Sequence, residues 1–282
     1  MSRFLSPAKI NLFLHILGKR SDGYHILQSL MALTDICDFI DISKSDNLSL
    51  KISGEFSCGI DVEDNLVINA ARLLKQESGT ANLGAEISLH KNIPIGAGLG
   101  GGSSNAATTL MALNKTWNLG LSIDELAKIA IKLGADVPFF LYKKAAWVNG
   151  VGEFVKPADN LPNMPLVLVF PNIFSSTPDV FKKGFGSYSN SIEEFFPESF
   201  DDFVNWLKNL ENDLTDNAIS LNSQIKEVLD CLNGFEDIRM ARMSGSGSCC
   251  FGIFDSYENA QEAAKEIRGK HKNWWVAASY LK

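Results

Sequence analysis

The sequence predicts an α+β protein with two domains. Strand-like and helix-like segments occur in runs rather than in a strict βαβ series, which is typical of that class. The length of 282 residues suits about two domains of ordinary size. A polar stretch with three prolines, "KPADNLPNMP", separates two ordered patterns and is the best linker candidate. We therefore predict domains at residues 1–158 and 159–282.

The first predicted element is a strand in "AKINLFLHIL". Its apolar residues alternate onto one face. The same alternation puts Lys9 and Asn11, two residues apart, together on the opposite face. An ordinary solvated strand is the simplest interpretation of this polar face. Joint action of the two side chains on one substrate is the functional alternative.

The remaining elements follow in chain order. Further strands are predicted in "DICDFIDIS", "LSLKIS", "AEISLHKNI" and "LVLVF", and "AAWVNGVGEFVKP" predicts paired strands. Helices are predicted in "EDNLVINAARLLKQESG", in "SSNAATTLMALNKTW" and in "SIDELAKIAIKLG", which opens with a Ser122–Glu125 capping box. Later helices are predicted over 177–183, 200–210 and 223–232, and "SYENAQEAAKEIRG" and "WWVAASYL" complete the chain as a helix and a strand.

Composition limits the function classes. The net charge is −7 with a pI of about 5.2, and no Lys/Arg run suggests a nucleic-acid or anionic-membrane surface. No apolar run reaches membrane-spanning length, and polar residues interrupt the apolar N-terminal stretch, which argues against a signal peptide. Five cysteines without framework spacing predict reduced, buried thiols in a cytoplasmic protein and no metal site. Cys249 and Cys250 are predicted as buried strand residues.

The glycine-rich stretch "PIGAGLGGGSSNAA" contains the letters GxGxxG. A Rossmann site needs an acidic residue about twenty positions on, and no acid occurs from Asn92 to Ile123. A Walker loop needs a lysine before its serine, and a glycine stands there instead. Five glycines, then Ser103 and Ser104 capping a helix, predict a different triphosphate cradle. Glycines that serve packing alone are the structural alternative.

Three segments in order, "PAKINLFLHILGKRSDGYH", "PIGAGLGGGSSNAA" and "RMSGSGSCCFGIF", resemble the three motifs of the GHMP small-molecule kinases, and "LGADVPFF" adds to the match. The resemblance implies an N-terminal domain like ribosomal protein S5 domain 2 and a ferredoxin-like C-terminal domain. It implies ATP and Mg²⁺, and a small-molecule cytidyl substrate whose 2-hydroxyl is phosphorylated. Homoserine, mevalonate or sugar kinases and a catalytically silent nucleotide-binding regulator are the alternatives. The oligomeric state stays open between monomer and homodimer.

The resemblance also assigns site residues, and phosphoryl transfer requires a proton acceptor and charge stabilisation. Asp136 is the expected base and Lys9 its partner cation, although Asp136 could also serve only as a helix N-cap. The loop Ser244–Ser248 is expected to shape the cleft, and no protein metal ligand is assigned. The residues expected to bind ATP are Pro94, Ile95, Gly96, Ala97, Gly98, Leu99, Gly100, Gly101, Gly102, Ser103 and Ser104. The residues expected to bind the substrate are Asn11, Tyr24, His25, Thr177 (also the expected N-cap of its helix), Phe181 and Lys182.

Overall fold

The structure is a computed structural model that describes residues 2–80, 82–159, 161–194 and 199–281. The chain forms two compact units. The first unit comprises Met1–Ala8, Ile36–Ile95 and Gly100–Lys143, and the second comprises Lys9–Asp35, Gly96–Leu99 and Lys144–Lys282. Strands β1 (Ser2–Lys19) and β2 (His25–Ser45) contribute residues to both. The single boundary between residues 158 and 159 stays a prediction.

The first unit pairs three strands and packs four helices. Strand β3 (Leu48–Ser53) runs parallel to β4 (Gly84–His90), and β4 is antiparallel to the second half of β2. The helices are α1 (Leu66–Glu77), α2 (Gly101–Thr116), α3 (Ile123–Ala130) and α4 (Val137–Leu141). Helix α2 packs against α1, α3 and α4. Its buried residues include several alanines and threonines, and such small side chains let neighbouring helices approach closely.

Two caps in the first unit show how the sequence begins its helices. The Asn65 side chain accepts a hydrogen bond of 2.8 Å from Val67 N at the start of α1. At the start of α3, the capping box between Ser122 and Glu125 is present in both directions, which confirms the prediction. The carboxylate bonds to Ser122 hold the pKa of Glu125 below its ordinary value.

The second unit contains a four-stranded antiparallel sheet in the order β10-β7-β9-β8. Its strands are β7 (Pro165–Phe170), β8 (Ile238–Met243), β9 (Cys250–Phe254) and β10 (Trp275–Tyr280). Helices α5 (Thr177–Lys182), α6 (Phe200–Lys208), α7 (Thr215–Leu221) and α8 (Gln224–Asn233) precede β8, and α9 (Tyr257–Lys270) precedes β10. Numbered along the chain within this sheet, the strands lie in the order fourth-first-third-second, which agrees with the ferredoxin-like expectation and confirms the α+β class. The sequence prediction missed α7.

The same unit holds the first half of β2, which pairs with β5 (Ala146–Gly150), and β5 forms a hairpin with β6 (Phe154–Pro157). This hairpin was predicted. Strand β1 is buried on both faces from Lys9 to Leu14, so its polar face is not solvated. The strand therefore carries polar side chains into the interior, where they need partners.

The cysteine prediction is correct in part. Cys249 and Cys250 are fully buried, and burial raises the pKa of both thiols, so they are unreactive packing residues. Cys58 is exposed, however, and Cys37 and Cys231 are half-buried. None of the five cysteines forms a disulfide bond. Across the described part of the chain, no helix combines the length and apolar character needed to cross a bilayer.

Candidate active site

The stretch Gly96–Leu99 turns its carbonyl groups toward the rest of the second unit. Each of its four carbonyl oxygens accepts a hydrogen bond from another segment of that unit. The pairs are Ser175 N to Gly96 O (3.4 Å), Cys249 N to Ala97 O (3.0 Å), Ser244 Oγ to Gly98 O (3.2 Å) and Lys9 N to Leu99 O (2.9 Å).

This arrangement decides where the peptide N–H groups of the stretch point. In a trans peptide, each N–H points opposite to the preceding carbonyl. The amides of Ala97, Gly98 and Leu99 therefore point away from the segments that bind the carbonyls. Gly96 and Gly98 have φ of 66° and 78°, whereas Ala97 and Leu99 do not have positive φ, so the sign of φ alternates along this turn. Successive amides in such an alternation form a concave anion-binding surface.

Packing also requires two of these glycines. A Cβ on Gly96 would overlap the ring of Phe174, and a Cβ on Gly98 would overlap the Ser244 carbonyl and lie 2.8 Å from Gly247 O. The packing alternative raised by the sequence therefore holds for Gly96 and Gly98. It is compatible with anion binding, because the two roles use opposite sides of the same backbone.

Helix α2 begins at Gly101, with Gly100 in the N-cap position at a φ of 66°. The prediction that the serines cap this helix is wrong. Ser103 is the third helical residue, and Ser104 is buried, with its hydroxyl 2.9 Å from that of Ser6, which donates to it. The first turn contains no acid and its N-cap has no side-chain hydrogen bond. The first amides of the helix are thus without intrahelical acceptors, and the helix dipole favours an anion there.

A buried ion pair lies beneath the start of α2, and sequence reasoning missed it. The Lys91 ammonium donates to the Asp38 carboxylate and, at 3.1 Å, to Asn105 Oδ1. Asn105 Nδ2 in turn donates to Asp38 at 2.9 Å and to Ser6 Oγ at 2.8 Å. Burial lowers the pKa of Lys91, and the nearby Asp38 opposes that shift. A Cβ on Gly101 would lie only 3.2 Å from Lys91 Nζ.

The Asp38 carboxylate also fixes the residues that precede the glycines. Its Oδ1 accepts hydrogen bonds from Asn92 N at 2.7 Å and from Ile93 N at 2.9 Å. Pro94 is buried behind this turn, whereas Ile95 is exposed. Lys91 stands just before the glycine motif and Asn105 within it, so spacing offered a signal for these two. Nothing in the local sequence pointed to Asp38.

Lys9 and Asn11 share one face of β1, as predicted, and their side chains touch. Lys9 Nζ donates to Asn11 Oδ1 at 2.6 Å, and Asn11 Nδ2 donates to Ser29 Oγ at 2.9 Å. Lys9 is only 4% exposed and Asn11 is fully buried. The alternative of an ordinary solvated lysine is therefore wrong. Asn11 uses both ends of its amide inside the protein and orients the lysine.

The loop Ser244–Ser248 joins β1 to the glycine stretch. Ser244 Oγ accepts a hydrogen bond from Asn11 N at 3.2 Å and donates to Gly98 O at the same distance. A Cβ on Gly245 would lie 3.3 Å from both Lys9 Nζ and Asn11 Oδ1. Residues of all three sequence motifs thus pack together within the second unit. These bonds hold Ser244 in place, and the role of the loop in shaping the cleft stays a prediction.

Asp136 occupies the N-cap position of α4, but its side chain makes no capping hydrogen bond. Its backbone is helical, with φ of −82° and ψ of −13°, whereas a capping residue is usually extended. The expectation that Asp136 caps this helix is thus correct in position and wrong in interaction. Its side chain is half-buried in the first unit. Its pairing with Lys9 stays a prediction.

The expected substrate residues near the start of β2 are placed differently from one another. Tyr24 is 65% exposed. The His25 ring lies 5.2 Å from the ring of Phe181 and 5.1 Å from that of Phe185. Phe181 therefore packs on His25 in this structure. Burial is the main cause that lowers the pKa of His25, and the charge of Lys19 acts in the same direction.

Helix α5 begins one residue earlier than expected. Ser176 is its N-cap and Thr177 its first residue, so the prediction of Thr177 as N-cap is wrong. The Thr177 hydroxyl lies 2.7 Å from that of Ser246, which links α5 to the third motif. Lys182 is exposed and forms an ion pair of 3.4 Å with Asp179. In the described part of the chain, no three His, Cys, Asp or Glu side chains are grouped to hold a metal ion.

Comparison with family models identifies two matching regions. Residues 65–144 match the GHMP kinases N terminal domain, and residues 192–273 match the GHMP kinases C terminal model. The first match contains the glycines and Asp136. The second contains Ser244–Ser248.

Individual proteins resemble the chain over almost its full length. A 4-diphosphocytidyl-2-C-methyl-D-erythritol kinase of Chelativorans sp. (strain BNC1) is 39% identical over 278 residues, covering 98% of this chain and 94% of the relative. The enzyme of the same name from Ruegeria pomeroyi is 43% identical, with 96% of each chain covered. A crystal structure of 4-(cytidine 5'-diphospho)-2C-methyl-D-erythritol kinase has a TM-score of 0.80 at 34% identity, with 99% of both chains covered.

Proposed function

We propose, from the premise that this chain belongs to the GHMP kinase family, that it is an ATP-dependent kinase of a cytidyl substrate. It transfers the γ-phosphoryl group of ATP to the 2-hydroxyl of 4-diphosphocytidyl-2-C-methyl-D-erythritol. The products are ADP and the 2-phosphate, in the non-mevalonate route to isoprenoid precursors. The acceptor is taken from the names of the relatives, and the donor is supported by the glycine stretch.

The main support for ATP as the phosphoryl donor is that all four carbonyls of Gly96–Leu99 are hydrogen-bonded within the second unit. They leave the amides of the stretch available to an anion. The chain then continues directly into the start of α2, where further amides and the helix dipole favour negative charge. With a net charge of −7, the protein cannot attract a triphosphate by its overall field. Local backbone groups supply that attraction.

We assign the chemistry to Asp136 and Lys9. The oxygen of the 2-hydroxyl attacks the γ-phosphorus, the bond to the ADP oxygen breaks, and the hydroxyl proton passes to the Asp136 carboxylate. Lys9 stabilises the negative charge that develops on the reacting oxygens. Its bond to Asn11 and the close approach of Gly245 support this role, because they restrict where the ammonium can lie.

Mg²⁺ is part of the same proposal. This ion usually keeps several waters and binds through substrate phosphates and one or two carboxylates. We propose that phosphate oxygens of ATP and water would hold the ion and that it would neutralise charge on the triphosphate, and we assign it no protein ligand. We also place the reaction in the cytoplasm, where ATP is available and free thiols such as these persist.

The cytidyl group is assigned to Tyr24, His25 and Phe181. An exposed tyrosine and a half-buried phenylalanine offer two ring faces, and a base is held well by stacking. His25 lies against Phe181 and offers polar ring atoms for the edge of the base. Thr177 and Lys182 on α5 are proposed to contact the rest of the substrate.

One assay tests the proposed function. ADP release is measured for the purified protein with the cytidyl substrate and, in parallel, with homoserine and mevalonate. Saturable turnover with the cytidyl substrate alone is expected. Turnover with homoserine or mevalonate would identify a different GHMP kinase, and no turnover with any acceptor, despite ATP binding, would favour a silent nucleotide-binding protein.

A further inference from the structure

A short segment between α6 and α7 contacts the strand that carries Lys9. Glu211 O accepts a hydrogen bond from Leu14 N at 3.0 Å, and Asp213 N donates to Leu14 O at 2.9 Å. The Asp213 carboxylate also accepts from Ile16 N at 2.6 Å. The segment therefore runs beside β1 as a one-residue parallel bridge. Asn212 lies at its centre.

The Asn212 side chain points from this bridge to the third sequence motif. Its Nδ2 donates to Met243 O and to Gly245 O, both at 2.8 Å, and its Oδ1 accepts from Leu214 N at 3.0 Å. The residue is 5% exposed. A primary amide has two N–H donors, and Asn212 uses both on backbone carbonyls that lie two residues apart. An aspartate of the same shape would place one carboxylate oxygen where Nδ2 lies, so an acceptor would face both carbonyl oxygens.

The backbone of Gly245 lies between Asn212 and Lys9. Asn212 donates to its carbonyl, and the Lys9 ammonium lies close to its Cα. Its Cα region lies against Lys9 Nζ and Asn11 Oδ1, where an added Cβ would be 3.3 Å from each. Its φ of 57° is left-handed, a conformation that glycine adopts readily but that does not by itself fix the peptide, so the peptide depends on partners such as Asn212. A rotation of the Gly245 carbonyl would change the space available to the Lys9 ammonium.

From this geometry we infer that Asn212 is a positioning residue for phosphoryl transfer: it fixes the Gly245 peptide against the Lys9–Asn11 pair. The inference rests on the proposed function, because it assumes that Lys9 acts in the reaction. The link from Asn212 to the lysine runs through the Gly245 carbonyl that Asn212 binds. Removal of the Asn212 side chain is therefore expected to misplace the lysine rather than to weaken ATP binding.

The strand itself has an independent anchor, so a substitution at Asn212 leaves β1 in place. The buried Arg242 guanidinium donates to Leu12 O, and it also donates to Leu207 O at 2.9 Å and to Leu210 O at 2.5 Å. Burial lowers the pKa of Arg242 to about 10, so it remains charged at neutral pH. We expect Asn212 variants to fold.

The test compares Asn212→Asp with two controls. Asn205→Asp makes the same charge change at an exposed position of α6, and Ile267→Ala creates a cavity in the core of the same unit, on α9. All are assayed well below their unfolding temperatures. For Asn212→Asp we expect kcat to fall by about tenfold to a hundredfold with KM for ATP changed less than about twofold, since small misplacements cost rate rather than affinity. Asn205→Asp keeps full kcat, and so does Ile267→Ala.

Asn212→Ser is the second variant if the aspartate protein does not fold. One hydroxyl can donate to one of the two carbonyls, so its kcat is expected to lie between those of the aspartate and unmodified proteins. The inference would be overturned if the folded Asn212 variants kept the kcat of the unmodified protein. It would also be overturned if Ile267→Ala lost as much kcat as Asn212→Asp. A loss that appears only in KM for ATP would overturn it as well.

An additional measurement separates this inference from the proposed function. Amide hydrogen exchange of residues 244–248 is expected to accelerate in Asn212→Asp and to stay unchanged in Asn205→Asp. Unaltered exchange in both proteins would overturn the positioning role. If the unmodified protein shows no kinase activity with the cytidyl substrate, the proposed function fails, while faster exchange in Asn212→Asp alone would still support the anchoring of Gly245.

Discussion

The glycines at the two ends of the motif differ in what surrounds them. Gly98 has a left-handed φ of 78°, and a side chain there would overlap the Ser244 carbonyl. Gly102 lies in the first turn of α2, is exposed, and would meet only Leu66, at an ordinary contact distance of 3.4 Å. The sequence shows five equivalent glycines, but the structure separates residues that packing requires from residues that remain open to a ligand.

Gly98→Val should have the largest effect. The left-handed backbone costs a branched residue about 1–2 kcal/mol, and overpacking adds roughly 1–3 kcal/mol. We expect a lower thermal unfolding temperature and almost complete loss of kinase activity. The close contact of Gly98 with the third motif is the reason for expecting a loss of stability as well as of ATP binding. Unfolding followed by circular dichroism, together with ADP release, checks the result. An unchanged unfolding temperature would show that the two loops do not support each other.

Asp136→Asn tests a residue whose side chain does not cap its helix. The substitution keeps the shape of the side chain and removes the proton acceptor. Because general-base catalysis contributes typically a hundredfold or more, kcat is expected to fall by about that factor. The calorimetric affinity for ATP should change little, and α4 loses no capping bond. A stable variant with near-normal turnover would exclude Asp136 as the base.

Gly102→Ala tests the glycine that packing does not require and that is expected to face the phosphates of ATP. The methyl group fits the protein, and alanine is about 0.5–1 kcal/mol more favourable than glycine within a helix. It would stand where the α2 amides approach phosphate. Losing a hydrogen bond to a charged group costs about 1.5–3 kcal/mol, so we expect KM for ATP to rise by roughly thirtyfold.

Gly269→Ala, on the last turn of α9 with nothing near its added Cβ, is the matched control for Gly102→Ala. It should leave KM for ATP unchanged. If both alanine variants bind ATP like the unmodified protein, the start of α2 does not contact the triphosphate.

The sequence predicted much of the fold and less of the site, for physical reasons. Periodicity and caps are local, so the α3 capping box and the buried strand at Cys250 were predictable. Helix α7 begins without a side-chain cap, which left no local signal for it. The Asp38–Lys91 pair joins residues 53 positions apart, and Asn212 meets Gly245 33 positions away. Neither contact has a pattern in one sequence.

Strand alternation placed Lys9 and Asn11 correctly on one face, but it could not show that Asn11 is fully buried and bonded at both ends. Motif resemblance assigned Tyr24, His25 and Phe181 to the substrate but said nothing of their mutual contacts. The structure packs Phe181 on His25. Side-chain contacts of this kind depend on rotamers and on the absence or presence of a ligand, which spacing does not encode.

The smallest effects are expected at Tyr24 and Phe181. Here too, a residue open to a ligand is compared with one that also packs within the protein. Tyr24 is exposed, so Tyr24→Ala removes only a stacking surface, whereas Phe181→Ala also disturbs its packing with His25. Stacking on a base is worth about 1–3 kcal/mol, so each variant should lose roughly tenfold in kcat/KM for the cytidyl substrate with KM for ATP unchanged. Only Phe181→Ala should also lower the unfolding temperature.

A uridyl analogue should react poorly with the unmodified protein, because uracil carries an acceptor where cytosine carries a donor. Full efficiency in both alanine variants would place the base elsewhere, and equal rates with the two nucleotides would remove His25 from its recognition.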